Sequence, residues 1–312
     1  PAGIVADETV SEVRERVHTL DWATDMVAAR REKTQPWLEV QSEELARVFP
    51  KTRGNVYHNF SCPDDRHRLT FEPFEPDTYT CPSCGKTYPA DTDAGIYETD
   101  HRYHGTMRDG WECLFYQQAG AVAADMGLLG RLDEDGTRYF ERGVEILMLY
   151  AETLEGLETD AFDNRQYSRI LTYHREGDNK VLNDLACAYE LLRHRMTPEQ
   201  RARFEKAALR RMLDDIMLEP VYAYNHNNIY QWYRTVLQVA LCLEREDLID
   251  WSFGYGQYSH EQLPEHVSIS RIIETHFKPD GAFWELCSGY HLYPMHAFCE
   301  MAVLTRNLSR MD

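Results

Sequence analysis

Three stretches of the chain concentrate side chains able to do chemistry. The first is Cys81-Pro82-Ser83-Cys84-Gly85. Two thiolates two residues apart on a tight turn can share one tetrahedral ion, and Gly85 lets the backbone close around it. Upstream, His58-Asn59-Phe60-Ser61-Cys62 offers His58 and Cys62 as the other half, with His67 as a competing ligand. A Cys₃His set of His58, Cys62, Cys81 and Cys84 would bind zinc. With no spare acidic or water-activating ligand suggested, that zinc would be structural. The competing reading of the same residues is a disulfide or unused thiols.

The second stretch is Tyr222-Ala223-Tyr224-Asn225-His226-Asn227-Asn228-Ile229-Tyr230-Gln231-Trp232. Four consecutive amide or imidazole side chains precede a helical run. Ordinary capping accounts for one or two of them. Neutral amide donors at a helix N-terminus are also suited to a carboxylate, helped by the macrodipole. The third stretch runs Pro279-Asp280-Gly281-Ala282-Phe283-Trp284-Glu285-Leu286-Cys287-Ser288-Gly289-Tyr290-His291-Leu292-Tyr293. Asp280-Gly281 signals a turn. Trp284, Tyr290 and Tyr293 could form a sugar-stacking wall, and Tyr290 and His291 could exchange protons. Core aromatics entering a helix are the plainer alternative. No Gly-rich phosphate loop, nucleophile elbow or His-Glu-x-x-His motif is present, and nothing indicates an organic cofactor.

The elements positioning these residues read mostly as helix. Apolar residues recur at three- and four-residue intervals over 8–20 and 37–49. The clearest stripe is Val181, Leu182, Leu185, Ala188, Tyr189 and Leu192 within 179–195. Thr197-Pro198-Glu199-Gln200 has the form of a capping box with proline at the first helical position. Further helical patterns cover about 110–128, 134–152, 201–217, 228–244, 264–277 and 291–308. Period-two alternation is scarce, so few strands are expected. The expected organisation is N-terminal helices over 1–49, a Cys/His-rich insertion over 50–109 and an α/α toroid over 110–312. An insertion of that length needs its own staple. The fold class expected is all-α, an incomplete (α/α) toroid with a small, irregular, zinc-knuckle-like insertion.

Composition narrows the partners. The 312 residues hold 33 Lys plus Arg against 52 Asp plus Glu, a formal charge of −19. Binding nucleic acid through its phosphates needs a basic surface, so this balance argues against it. No apolar run approaches the roughly 20 residues of a membrane span. With 43% hydrophobic residues the chain can build a sizeable core.

Asn225-His226-Asn227-Asn228, followed by Pro279-Asp280-Gly281, Glu285-Leu286-Cys287-Ser288-Gly289-Tyr290-His291, resembles the toroid domain of the heparinase II/III-like polysaccharide lyases. That domain is itself similar to the toroid of the exolytic alginate lyases. The resemblance runs from about residue 50 to the end. Ser288-Gly289 stands where the family has Ser-Pro. The resemblance implies β-elimination at a uronic acid of an acidic polysaccharide. Asn227 or Asn228 would hydrogen-bond the C6 carboxylate and favour its enolate-like form. His226 would neutralise the carboxylate or act as base. Tyr290 would protonate the departing oxygen and, in a syn elimination, also remove the C5 proton. Asn225, Trp284, Glu285, His291, Tyr293 and Arg234 would line or support the cleft. A secreted or periplasmic location and a β-sandwich beyond residue 312 are also expected from the resemblance.

Two other functions compete. A glycoside hydrolase on an α/α scaffold needs two carboxylic acids facing one bond, with Asp280, Glu285 and Asp178 as candidates. A non-catalytic carbohydrate-binding domain would keep the aromatic wall without turnover. The net charge favours a carboxylated polymer over heavily sulfated heparin, because a −19 protein repels dense polyanions at long range.

Overall fold

Residues 107–132 are apolar or small on nearly every side, and they form the longest helix among the described residues. Its start is fixed by Thr106, whose hydroxyl accepts from Asp109 N–H while the Asp109 carboxylate accepts from Thr106 N–H. That reciprocal box satisfies two amides a helix start leaves bare. The computed structural model describes residues 7–54, 60–93, 105–157, 170–172, 175–217, 228–255, 267–281 and 288–306. The described residues are predominantly helical. In order they give α1 (Asp7–Thr19), α2 (Asp21–Glu39), α3 (Ser42–Val48), β1 (Thr78–Thr80), β2 (Thr87–Pro89), α4 (Met107–Leu132), α5 (Thr137–Gly156), α6 (Arg175–Leu192), α7 (Pro198–Phe204), α8 (Arg211–Met217), α9 (Ile229–Cys242), α10 (Glu246–Phe253), α11 (Ile269–His276) and α12 (Ser288–Thr305). A 3₁₀ turn (Arg193–Arg195) precedes α7, and a π-helical turn (Glu205–Arg210) joins α7 to α8.

The chain divides into two compact units, with the division between Ala208 and Leu209, inside the π-helical turn. It therefore falls within the 110–312 segment expected from sequence to be one toroid. In the first unit α4 is the hub, packed against α1, α2, α5 and α6. Gly127 allows the α4–α6 approach, since a Cβ there would stand 2.6 Å from Leu191 Cβ. An aromatic cluster fills the space between α2, α4 and α5. Trp37 lies 5.1 Å from Phe74 and 5.3 Å from Phe115, and Phe49 lies 5.1 Å from Tyr150. The Thr197–Gln200 box is present at the start of α7 as the sequence suggested, with both reciprocal bonds made.

In the second unit α9 is the core helix. Every α9 residue except Arg234 and Leu241 is buried. It packs against α8, α10 and α12. Its tyrosines each find a polar partner: Tyr230 Oη lies 2.7 Å from His276 Nδ1, and Tyr233 donates to Val267 O at 2.6 Å. Such partners are needed because a buried phenol left unpaired costs about 1–3 kcal/mol. α10 ends at Gly254, which takes the left-handed conformation (φ +81°) that a side chain would resist.

Candidate functional site

Residues 60–90 hold almost no regular structure beyond the β1–β2 hairpin, which pairs Thr78 with Pro89, Tyr79 with Tyr88 and Thr80 with Thr87. Two tight turns do the rest. In the second, Gly85 N–H bonds to Cys81 O at 2.9 Å, Cys81 N–H bonds to Lys86 O at 2.9 Å, and Gly85 is left-handed (φ +73°). In the first, Arg66 N–H bonds to Cys62 O at 2.9 Å, Cys62 N–H bonds to His67 O at 2.7 Å, and Arg66 is left-handed (φ +65°). A left-handed arginine is strained, and its occurrence at the position equivalent to Gly85 shows that the turn geometry prevails.

These turns bring Cys62, Asp65, Cys81 and Cys84 together, with one donor atom from each within 4.8 Å of all the others. The four residues could hold a metal ion. The Cys62 and Cys84 sulfurs are 3.7 Å apart. A tetrahedral ion with metal–sulfur bonds of about 2.3 Å has edges of about 3.8 Å, so the pair fits a shared ion. Cys62 and Cys81 are buried and Cys84 is exposed. Around the cluster, the Tyr88 hydroxyl lies 3.1 Å from the Cys62 sulfur and donates to Asp64 Oδ2 at 2.6 Å, while Lys86 Nζ is 2.8 Å from the same carboxylate oxygen.

The electrostatics of the four differ. The His67 amide, 3.0 Å from Asp65 Oδ1, holds the Asp65 carboxyl well below the usual carboxylate range. Desolvation pushes the Cys81 thiol up to about 11, while the backbone amide of Lys86 draws Cys84 down. The bond to Asp64 keeps Tyr88 protonated far above the ordinary phenol range.

Within the first unit, aromatic contacts tie the cluster to α4. Phe60 packs on Tyr79 at 4.9 Å, and Phe71 lies 5.9 Å from Trp111 of α4. Trp111 is fully buried, donates from Nε1 to Glu72 O at 3.0 Å, and carries the Arg108 guanidinium 4.8 Å above its ring. Arg108 also pairs with Glu112, whose buried carboxylate accepts from Thr52 at 2.8 Å. Desolvation raises the Glu112 pKa.

The second candidate region lies in the second unit. Asn228 is buried at the N-cap of α9, and Tyr290 stands in the first turn of α12. Gln231, in the first turn of α9, donates to Tyr293 O at 3.4 Å, and Tyr230 packs on Phe298 at 4.9 Å. Further along, Arg234 pairs with Glu300. From the Gln231–Tyr293 bond to the Arg234–Glu300 pair the numbering rises along both helices, so the two run the same way. Their N-terminal ends therefore lie side by side.

Among the sequence-predicted residues, Cys62, Cys81 and Cys84 meet in the first unit. Asn228, Arg234, His291 and Tyr293 belong to the α9–α12 pair. Tyr293 is 37% exposed and His291 half-buried, whereas Arg234 is engaged with Glu300. His58, Asn225, His226, Asn227, Trp284, Glu285 and the Tyr290 side chain lie outside the described residues. His67, the competing ligand, is exposed, with its Nδ1 3.4 Å from Asp65 Oδ1. Asp178, one of the candidate hydrolytic acids, is buried and accepts from the backbone amides of Ile170, Leu171 and Thr172 at 2.7, 3.1 and 2.8 Å. That is an anchor for a chain segment, and it leaves the carboxylate unsuited to attack a glycosidic bond.

Sequence reasoning missed Asp65 and Tyr88. A signal for Asp65 was available: Cys62-Pro63-Asp64-Asp65 repeats the spacing of Cys81-Pro82-Ser83-Cys84, with a carboxylate in place of the second thiol. No family model matches the chain, and no curated protein matches it.

Proposed function

We propose that the chain is the toroid portion of a polysaccharide lyase that cleaves a uronic-acid-containing polymer by β-elimination. The observation that supports this reading is the adjacency of the α9 and α12 N-termini, fixed by the Gln231–Tyr293 bond. Asn228 caps the first of these helices, and Tyr290 and Tyr293 lie in the first two turns of the second. In this reading Asn227 or Asn228 and His226 bind the C6 carboxylate at the positive end of α9 and stabilise the charge that develops as C5 loses its proton. Tyr290 delivers a proton to the leaving oxygen and, in a syn elimination, first takes the C5 proton. Tyr293 offers an exposed ring to a sugar face.

Elimination leaves a double bond conjugated to the carboxylate, and hydrolysis does not. The test is ultraviolet absorbance of products from a panel of uronate polysaccharides. Tyr290→Phe should cut turnover by roughly 10²–10⁴-fold while weakening binding only modestly. A panel that yields no unsaturated product, or a Tyr290→Phe variant with unchanged turnover, would overturn the reading.

The cluster in the first unit we assign to zinc in a structural role. Thiolate-rich donors suit a borderline-soft ion, and a full set of four protein ligands leaves no open position for a substrate. Metal analysis of the purified protein checks it, with Cys84→Ser as the control. One equivalent of zinc is expected in the wild type, and none in the wild type would remove the assignment.

A further inference from the structure

We infer that the fourth ligand of this zinc site is Asp65, so that the segment is a two-knuckle ribbon with one Cys-Pro-x-Asp and one Cys-Pro-x-Cys half. The inference rests on the zinc assignment above and adds the identity and chemistry of the ligand set.

Three observations carry it. First, the two halves share one backbone. Both turns close with the same pair of hydrogen bonds, from the fifth residue back to the first and between the first residue and the sixth, and both put the fifth residue in the left-handed region. This repeat places Asp65 in the first turn where Cys84 stands in the second. Second, the distances suit a mixed tetrahedron. With metal–sulfur and metal–oxygen bonds of about 2.3 and 2.0 Å, a sulfur–oxygen edge is about 3.5 Å. The Cys81 sulfur lies 3.5 Å from Asp65 Oδ1 and 3.6 Å from Oδ2. Third, the carboxylate is already oriented. The His67 amide binds Oδ1, as outer-shell partners of metal ligands do. Asp64, the neighbouring carboxylate, is instead engaged by Lys86 and Tyr88. Tyr88 therefore reaches both the Cys62 sulfur and Asp64, and it acts as a positioning residue for the first knuckle.

The chemical consequence is a site with three thiolates and one harder oxygen donor. Such a site gives up its ion to a chelator more readily than an all-thiolate ribbon of the same shape.

Cobalt substitution reads the ligand set directly, because each thiolate adds sulfur-to-cobalt charge-transfer absorption. The wild type should show the intensity of three thiolates on a tetrahedral ion. Asp65→Cys should raise that intensity by about one third and slow zinc loss to a chelator. Asp65→Ala should weaken zinc retention by at least the roughly 10–100-fold that loss of an outer-shell partner costs. Tyr88→Phe should give a smaller loss with an unchanged cobalt spectrum. If Asp65→Cys and Asp65→Ala leave spectrum and retention unchanged while His58→Ala alters both, the fourth ligand is His58 and the inference fails. Failure of the zinc assignment looks different, since the wild type would then take up neither zinc nor cobalt.

Discussion

The ribbon of residues 60–90 and the α9–α12 pair hold their shape by different means. Among the described residues of the ribbon, the buried hydrophobic ones are Phe60, Cys62, Leu69, Tyr79 and Cys81. Two of those five are metal-type ligands. Its regular structure amounts to a hairpin of two three-residue strands. So small a core does not offset the entropy of ordering some thirty residues, and segments of this kind need a staple. α9 is the opposite case. It buries twelve of its fourteen residues, and its two tyrosines find polar partners within the unit, Tyr230 at His276 and Tyr233 at Val267. A site built on α9 is positioned by packing, whereas the ribbon rests on its grip on Trp111 and, under the zinc assignment proposed above, on its ligands. The comparison teaches that chemically similar residue sets, polar and aromatic in both cases, require opposite supports depending on how much apolar surface surrounds them.

The largest expected effect separates the two directly. Stripping the metal with a strong chelator should unfold the ribbon and leave the helices of the second unit standing. Hydrogen exchange would show residues 60–90 losing protection while α9 keeps its own. Loss of protection in α9 to the same degree would break the distinction.

Next comes the joint between ribbon and helix. Trp111→Ala removes a fully buried ring that Phe71, Glu72 and Arg108 all contact, and it should cost about 3–5 kcal/mol in urea unfolding. A cost below 1 kcal/mol would mean that the ribbon does not depend on α4.

Within the second unit, Tyr230→Phe leaves His276 without its phenol partner and should cost about 1–3 kcal/mol. His276 is buried, and desolvation lowers its pKa below the ordinary 6.5. The unfolded chain therefore binds a proton near pH 6.5 that the folded chain refuses. Stability from this group is full above that pH and falls as pH drops through and below it, with a slope of no more than about 1.4 kcal/mol per pH unit. His276→Gln should flatten that part of the stability–pH curve, and an unchanged curve would contradict the assignment.

The smallest effect tests a local rule beside the ribbon. Thr106→Ala deletes the α4 cap and should cost about 1 kcal/mol, visible as a lowered thermal midpoint.

Much of the helical order was legible residue by residue. The stripe from Val181 to Leu192 lies in α6, and the Thr197–Gln200 signature became a full capping box. Elsewhere tertiary packing overrode local signals. The pattern over 37–49 suggested one helix, yet α2 runs through Pro36 to Glu39 and α3 starts afresh at Ser42. Trp37 explains this, since it is buried against Phe74 and Phe115 and holds the last turn of α2 in place despite the proline. α10 went unread because eight residues give too short a window for a periodic signal. Asp65 was hidden for another reason: an acidic residue in a polar loop resembles any solvated carboxylate until the turn that carries it is drawn.

By itself the sequence determined the helical class, the Thr197–Gln200 cap and the paired thiols of Cys81 and Cys84, because these depend on neighbours within about four positions. Only the tertiary structure decided that Asp65 joins those thiols and that the N-terminal ends of α9 and α12 lie together. Both depend on how distant turns and helices pack, and that packing is set by buried side chains such as Phe60, Tyr79, Tyr230 and Ala297 from separate parts of the chain.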